Sequence, residues 1–408
     1  MRRRRVHCGQ GTAARSCTSA RRGWTATVCF ATLARNRQER EDDAMTTETK
    51  LRVIDADAHV CETERTWDYL EPAEEKYRPI LYTSPSAPTK EFWVIEERIR
   101  GLRFPTLSEQ QLLTMSETAG RRMDTPREAR ELDDVQLRLR EMDHLGIDVQ
   151  VLHNTLWIEQ VSADPDAEAA LCRSWNKWLA DIWKEADGRL RWSCVVPSLL
   201  TDEAIEQMRF AKENGAVALC LRPFDGDKYL INPYFYPLFE EAERLDMAIA
   251  VHIANASPQY RQLFGSIFTN ANSFALFRAP TMMVCHSLLN SEIPQLFPNL
   301  RWGFIESSAS WVPWVYHEIA NRWRAGGKEM SDDPFGDANI YVTCQTDDDL
   351  PYVRSYAGEH CLVIGTDYGH IDPSSEVDAI SVFKADERLD AVEKERILLH
   401  NPRRLYGI

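Results

Sequence analysis

The chain of 408 residues is 44% apolar and carries a formal net charge of −15, enough length and apolar content for one large α/β domain or two ordinary ones. The charge is uneven: positions 1–38 hold nine arginines and no acid, whereas positions 45–408 hold 38 basic against 59 acidic side chains, a net of −21. So acidic a body excludes a nucleic-acid partner, no stretch reaches the ~18 apolar residues of a membrane helix, and ten scattered cysteines without a C-x-x-C pair fit the reduced core thiols of a cytoplasmic protein.

Positions 1–44 are Arg-rich and nearly free of acid, the composition of a transit segment. Met45, however, leads directly into the first apolar run, so the segment reads as a non-native or disordered basic extension left by an over-extended start, and it is set apart from the fold. Positions 45–408 form the folded body. Apolar, β-branched runs at 51–58, 147–153, 190–197, 216–222, 247–252, 300–306, 339–344 and 361–367 alternate there with helical patterns, which predicts a parallel sheet joined by crossover helices. Between the first two runs, 60–145 is far longer than an ordinary connection and is expected to be an insertion or lid. Within it, Phe92 to Ile95 and Arg98 to Arg100 suggest a small hairpin, and the proline-rich 84–88 a turn.

Further along, Asp164-Pro165 opens a helix that carries Leu171, Trp175, Trp178, Leu179, Ile182 and Trp183 on one face, and Gly188 ends it. Thr201 and Asn232-Pro233 open two more, and Gly215 closes the first of these. His286 falls in a helical stretch and reads as a packing histidine; Asp347, Asp348 and Asp349 read as a solvated helix start. Eight β/α units in about 360 residues predict an α/β fold, a (β/α)8 TIM barrel with a long insertion after strand 1. A doubly wound open sheet fits less well, because no glycine-rich phosphate loop succeeds the first strand.

That strand carries Asp55-Ala56-Asp57-Ala58-His59 instead. Asp57 and His59 are two residues apart, so on an extended segment both side chains leave the same face and can meet one cation. His252 ends the fifth run and Asp367 the eighth, and in a barrel these carboxyl ends share one mouth. Two imidazoles with one or two carboxylates match the donor type of a catalytic zinc, manganese or iron site, in which a bound water loses its proton easily and Asp367 is placed to take it. Trp157 and Trp311 are candidates for lining an aromatic substrate pocket.

These features resemble the amidohydrolase superfamily, specifically the branch of aminocarboxymuconate-semialdehyde decarboxylase. The resemblance runs from about position 51 to the end of the chain. It rests on the 54–62 segment with Asp57, His59 and Glu62, on 138–151 with Arg138 and Gly146, on 297–306 ending in Glu306 and followed by Trp311 and Pro313, and on Gly365-Thr366-Asp367-Tyr368-Gly369-His370. It implies a metal-dependent barrel enzyme in which Asp57 takes the place of the first histidine of an H-x-H motif, His252 is the strand-five ligand, and Asp367 is both ligand and catalyst. One departure stands out. Decarboxylases of the branch have a histidine at the end of strand six, and this chain has Glu306.

That substitution points toward hydrolysis, with Glu306 or His370 assisting the leaving group and Arg222, at the end of strand four, offsetting the negative charge beside a substrate anion. Glu62 is expected to orient His59 from behind. The expected function is therefore a metal-dependent hydrolase of a small cyclic or aromatic molecule that expels an amine, a ring nitrogen or a group such as nitrite. The expected cofactor is one divalent metal, zinc ahead of manganese or iron, and the enzyme is expected to be a homo-oligomer without a membrane or nucleic-acid partner. A nonoxidative decarboxylase of an aromatic or semialdehyde carboxylic acid is the alternative, and a metal-free ligand-binding barrel is the third reading.

Overall fold

Alternation of apolar runs and helices resolves into eight parallel strands in sequential order, β1 (Ile54–His59), β2 (Val149–His153), β3 (Leu190–Cys194), β4 (Ala216–Leu221), β5 (Ala248–His252), β6 (Trp302–Ile305), β7 (Ile340–Cys344) and β8 (Leu362–Ile364). The coordinates are a computed structural model and describe residues 53–86, 90–105, 109–264 and 270–408. The basic extension 1–44 lies outside the described residues, as do positions 87 and 88 of the expected turn. The last strand returns to the first: the Asp367 amide donates to the Asp57 carbonyl at 2.9 Å and the His59 amide to the Tyr368 carbonyl at 2.8 Å. Gly365 permits this approach, since a Cβ there would stand 2.2 Å from the Asp57 Cβ. The fold is a TIM barrel.

Its inside is a small apolar plug of Ile54, Ala56, Val149, Val151, Val217, Ala250, Ile305 and Val363, closed at one end by Leu405 and Tyr406. The outer faces of the strands pack on the helix layer through a much larger cluster. Helix α1 (Pro165–Glu185) starts where the sequence predicts, with the Asp164 side chain accepting from the Asp166 amide. Helices α2 (Thr201–Glu213) and α3 (Tyr236–Arg244) match the other two signals. Pairing along β1 shifts register between Asp55 and Ala58. Ile54 and Ala56 therefore face the plug, Ala58 faces the helices, and Asp57 and His59 turn into the barrel mouth, a re-aiming that strict alternation does not produce.

The segment 60–145 contains the expected hairpin, Lys90–Ile95 against Arg98–Pro105, and a third antiparallel strand, Ile80–Thr83. Ile80–Thr83 has no buried residue, so no alternation marks it in the sequence. The segment ends in the crossover helix Val135–Leu145, capped by Asp134 and by Gly146 at φ +69°. A run of indole contacts, Trp93 to Trp67 to Trp157 to Trp175 to Trp192, with ring centroids 5.7–6.3 Å apart, fastens the segment to α1 and β3. Trp157 is a buried member of this run. It packs the insertion onto the barrel.

Among the described residues, no helix is long and apolar enough to cross a membrane. The seven described cysteines are all free thiols and six of them are buried.

Candidate metal centre and active site

Asp57 and His59 from the bulged end of β1, His252 from the end of β5, Glu306 directly after β6 and Asp367 after β8 converge at one point, and all five are buried. His59 Nε2 lies 3.1 Å from His252 Nε2, 3.4 Å from Asp367 Oδ1, 3.5 Å from Asp57 Oδ1 and 3.6 Å from Glu306 Oε2. Asp367 is not the last residue of a strand, as its position suggested. The strand stops at Ile364, and Asp367 sits in a turn at φ +50°. Glu306 is likewise left-handed, at φ +61°. Such backbone is uncommon for a residue with a side chain and persists where surroundings fix it. The Glu306 amide donates to Thr343 Oγ1 at 2.7 Å, and Ser375 Oγ donates to Asp367 Oδ2 at 2.7 Å.

The neighbours set the tautomers. His59 Nδ1–H donates to the Asn154 carbonyl at 3.1 Å, which leaves the Nε2 lone pair facing inward. His252 Nδ1 is 3.4 Å from the Ile253 carbonyl, and its Nε2 faces His59 Nε2. Two imidazole nitrogens and three carboxylates thus face one another, and Asp57 Oδ1 accepts no hydrogen bond from a described residue. Burial, then the nearby Asp367 and Asp55 carboxylates, push the Asp57 carboxyl well above its ordinary range. Burial, then Asp367, Asp372 and Asp57, do the same to Glu306. Burial and neighbouring imidazoles push His59 and His252 well below theirs. Each of these conflicts is of the kind a bound cation relieves, so the donors fit a divalent metal.

His370 stands at the rim. Its ring stacks on His59 at 3.7 Å, Nδ1 lies 2.9 Å from Asp367 Oδ1, and Nε2 lies 2.9 Å from Thr155 Oγ1. Burial opposes a charge on His370, but the Asp367 carboxylate outweighs it and raises the imidazole. Burial in turn raises Asp367 to about 6.

Other expected contacts are rearranged. Glu62 does not touch His59; its Oε1 accepts from the amides of Thr155 and Leu156 and from the Trp175 indole, so it fixes the loop that carries Thr155 to His370. Arg222 is engaged elsewhere, donating to Asp225 at 2.6 Å, to Glu168 at 3.3 Å and to the Glu159 carbonyl. Where the sequence suggested a contact with substrate, the structure shows the guanidinium held by opposite charges buried beside it. Trp311 lies partly buried against Phe304 and donates to the Ser307 carbonyl, packing the start of the helix Val312–Ala325.

Asp348 is buried rather than solvated. It accepts from Ser308 Oγ, Ser310 Oγ and the Ala309 amide, and so fixes the loop after Glu306. His286 lies in the helix Ala279–Leu289, as its pattern indicates.

Several neighbours of the centre are absent from the sequence-based candidates. His153 packs under the site, 5.3 Å from the His252 ring and 5.9 Å from His59, with Nδ1 2.9 Å from Ser193 Oγ. It ends an apolar run just as His252 does, and that signal could have found it. Arg138, fully buried, donates to the His59 carbonyl and to Gln150, which in turn donates to Asp55. Arg278 donates to Ser374 Oγ at 2.8 Å and pairs with no carboxylate among the described residues.

The amidohydrolase family profile matches residues 54–408. This chain belongs to the amidohydrolase family. It is an enzyme of a superfamily that uses a divalent metal on small-molecule substrates. The 2-amino-3-carboxymuconate-6-semialdehyde decarboxylase of Dictyostelium discoideum is 23% identical over 277 residues, 62% of this chain and 74% of that protein. Among solved structures, an amidohydrolase from Mycobacterium avium subsp. paratuberculosis K-10 superposes with a TM-score of 0.71 at 17% identity, covering 88% of this chain and 99% of its own. The 5-carboxyvanillate decarboxylase of Sphingomonas paucimobilis gives 0.59 at 18% identity, covering 88% and 100%. At these identities the superpositions establish the fold alone.

Proposed function

We propose that this amidohydrolase is a metal-dependent, nonoxidative decarboxylase of a small aromatic or conjugated carboxylic acid, with Asp57, His59, His252 and Asp367 holding the metal. The carrying observation is the Asp367–His370 pair, 2.9 Å apart, at the edge of the donor cluster. Decarboxylation breaks one carbon–carbon bond, leaves the electron pair on the substrate carbon, and needs a proton delivered to that same carbon. Asp367 delivers it, and His370 Nδ1 resupplies Asp367. When bound, a divalent metal supplies positive charge that anchors a substrate oxygen and stabilises negative charge on the ring.

The remaining roles belong to side chains around this pair. Thr155, held by Glu62, positions His370. Arg278, the last residue of the π-helical turn Phe274–Arg278 that leads into the helix Ala279–Leu289, and tied to the β8 loop through Ser374, takes the substrate-anion role expected of Arg222. The Dictyostelium relative, named a decarboxylase, and the 5-carboxyvanillate decarboxylase fold support this reading over hydrolysis.

The test is turnover of a panel of aromatic and semialdehyde carboxylic acids by metal-loaded protein in heavy water. One carbon dioxide per substrate consumed, with deuterium at the vacated carbon, is the expected result. Hydrolysis is the second reading, favoured by Glu306 where decarboxylases of this branch have histidine. Oxygen from labelled water in the product, without carbon dioxide, would establish it.

A further inference from the structure

We propose that Glu306 is a fifth protein donor to the metal centre, so that the site is a set of three carboxylates and two imidazoles that favours manganese(II) or iron(II) over zinc. This rests on the reading of Asp57, His59, His252 and Asp367 as a metal centre, and goes beyond it. The geometry is direct. Glu306 Oε2 is 3.2 Å from His252 Nε2 and 3.6 Å from His59 Nε2. Asp367 Oδ1 and Asp57 Oδ1 stand at 3.4 and 3.5 Å from His59 Nε2. The three carboxylates are therefore equivalent neighbours of the same nitrogen. Bonds of ~2.0–2.2 Å to one ion put adjacent donors roughly 3–3.6 Å apart, and Glu306 meets that spacing as well as the residues expected from the sequence. Glu306, His59, Asp367 and His370 form one compact set of donor atoms, and Asp57, His59 and His252 a second that shares His59.

Two further observations point the same way. Two imidazole nitrogens stand against the Glu306 carboxylate, and no lysine or arginine among the described residues comes within ion-pair distance of it. Glu306 also adopts φ +61°, held by its amide bond to Thr343 Oγ1, which itself donates to the Phe304 carbonyl at 3.3 Å. A left-handed residue with a long acidic side chain, braced in this way, is aimed.

A three-carboxylate set carries one more negative charge than a divalent ion neutralises and offers hard oxygen donors. Both features suit a five- or six-coordinate ion better than four-coordinate zinc. Zinc is satisfied by four donors and tolerates loss of the fifth more easily.

The experiment compares the full chain with Glu306→Gln and Glu306→Asp, stripped with chelator and titrated with manganese(II) or zinc(II) chloride in a calorimeter. Manganese(II) paramagnetic resonance spectra are recorded alongside, and circular dichroism confirms the fold. The expected result for Glu306→Gln is a loss of manganese(II) affinity of at least about tenfold, an altered spectrum, and a smaller loss for zinc. Unchanged affinities and an unchanged spectrum in a folded Glu306→Gln protein overturn the inference. Should that variant fail to fold, an unchanged spectrum in Glu306→Asp overturns it, because shortening a ligand by one methylene must move it. A parent that binds neither ion overturns it as well. None of these readouts requires turnover: lost affinity without carbon dioxide release sustains the inference and sinks the decarboxylase reading, and the converse does the reverse.

Discussion

After β4, the Arg222 guanidinium faces Asp225 and Glu168, and every buried charge there has an opposite beside it. At the ends of β1, β5, β6 and β8, three carboxylates and two imidazoles face one another, and no lysine or arginine among the described residues reaches them at ion-pair distance. Both clusters are buried and both lie just beyond barrel strands. One is complete within the chain and serves the fold, as buried charges do when they are paired. The other is left incomplete, which the fold tolerates only where function requires it. A buried charge therefore points to a site by what its neighbours fail to supply: Arg222 has its opposite charges beside it, and Glu306 has no lysine or arginine at ion-pair distance among the described residues.

The comparison breaks most visibly at Arg222. Arg222→Met strands Asp225 and Glu168, the latter already raised to about 7 by burial, and is expected to destabilise the protein by about 3–5 kcal/mol. Urea unfolding measures this. Metal content should stay at the parent value, whereas an unchanged unfolding midpoint with a raised KM would return Arg222 to the substrate.

Asp57→Asn sharpens the opposite cluster. The parent, with free metal at a hundred times its Kd, should lose about 2.7 kcal/mol of stability on chelation. In Asp57→Asn that metal-dependent increment should largely vanish while the chelated protein melts no lower than the chelated parent. A variant that keeps the full increment removes Asp57 from the donor set.

Ser375→Ala should act more mildly. Loss of the hydroxyl that holds Asp367 Oδ2 is expected to weaken metal affinity or activity by roughly tenfold, without a change in urea midpoint beyond about 1 kcal/mol. The smallest effect belongs to a paired carboxylate of helix α3, Glu241. Hydrogen bonds from Arg244, against some burial and with help from Arg209, hold Glu241 down at about 2. Its contribution is complete above the ordinary value near 4.5 and is lost as pH falls from there toward 2. Glu241→Gln should lower stability by about 1 kcal/mol or less at pH 6, and the difference from the parent should shrink steadily below pH 4.5.

The residues themselves show why some of the site was legible in the sequence and some was not. Asp57, His59 and His252 lie within or at the ends of apolar runs, so their place at the strand ends was legible, and the period of the strand put Asp57 and His59 on one face. His153 carried the same mark and could have been found by applying that argument evenly. The bulge that turns Asp57 inward after Ala56 leaves no trace in an alternation already broken by small residues. Arg222 and Asp225 are three apart, a visible pair, but Glu168 lies 54 residues earlier, and it is the third member that encloses the guanidinium. Asp348, within an acidic run that looks solvated, is buried by a loop 39 residues upstream.

By itself, the sequence determined the barrel, because strand and helix periods are local and eight apolar runs separated by amphipathic helices leave few other ways to bury them. It also determined which side chains stand at the strand ends. Only the tertiary structure decided which of those ionisable groups meet, that Arg222 is enclosed by Asp225 and Glu168, that Arg278 has no carboxylate beside it among the described residues, and that Glu306 stands beside the two imidazoles. Pairing of charges depends on distances between residues remote in the chain, and those distances exist only once the barrel has closed.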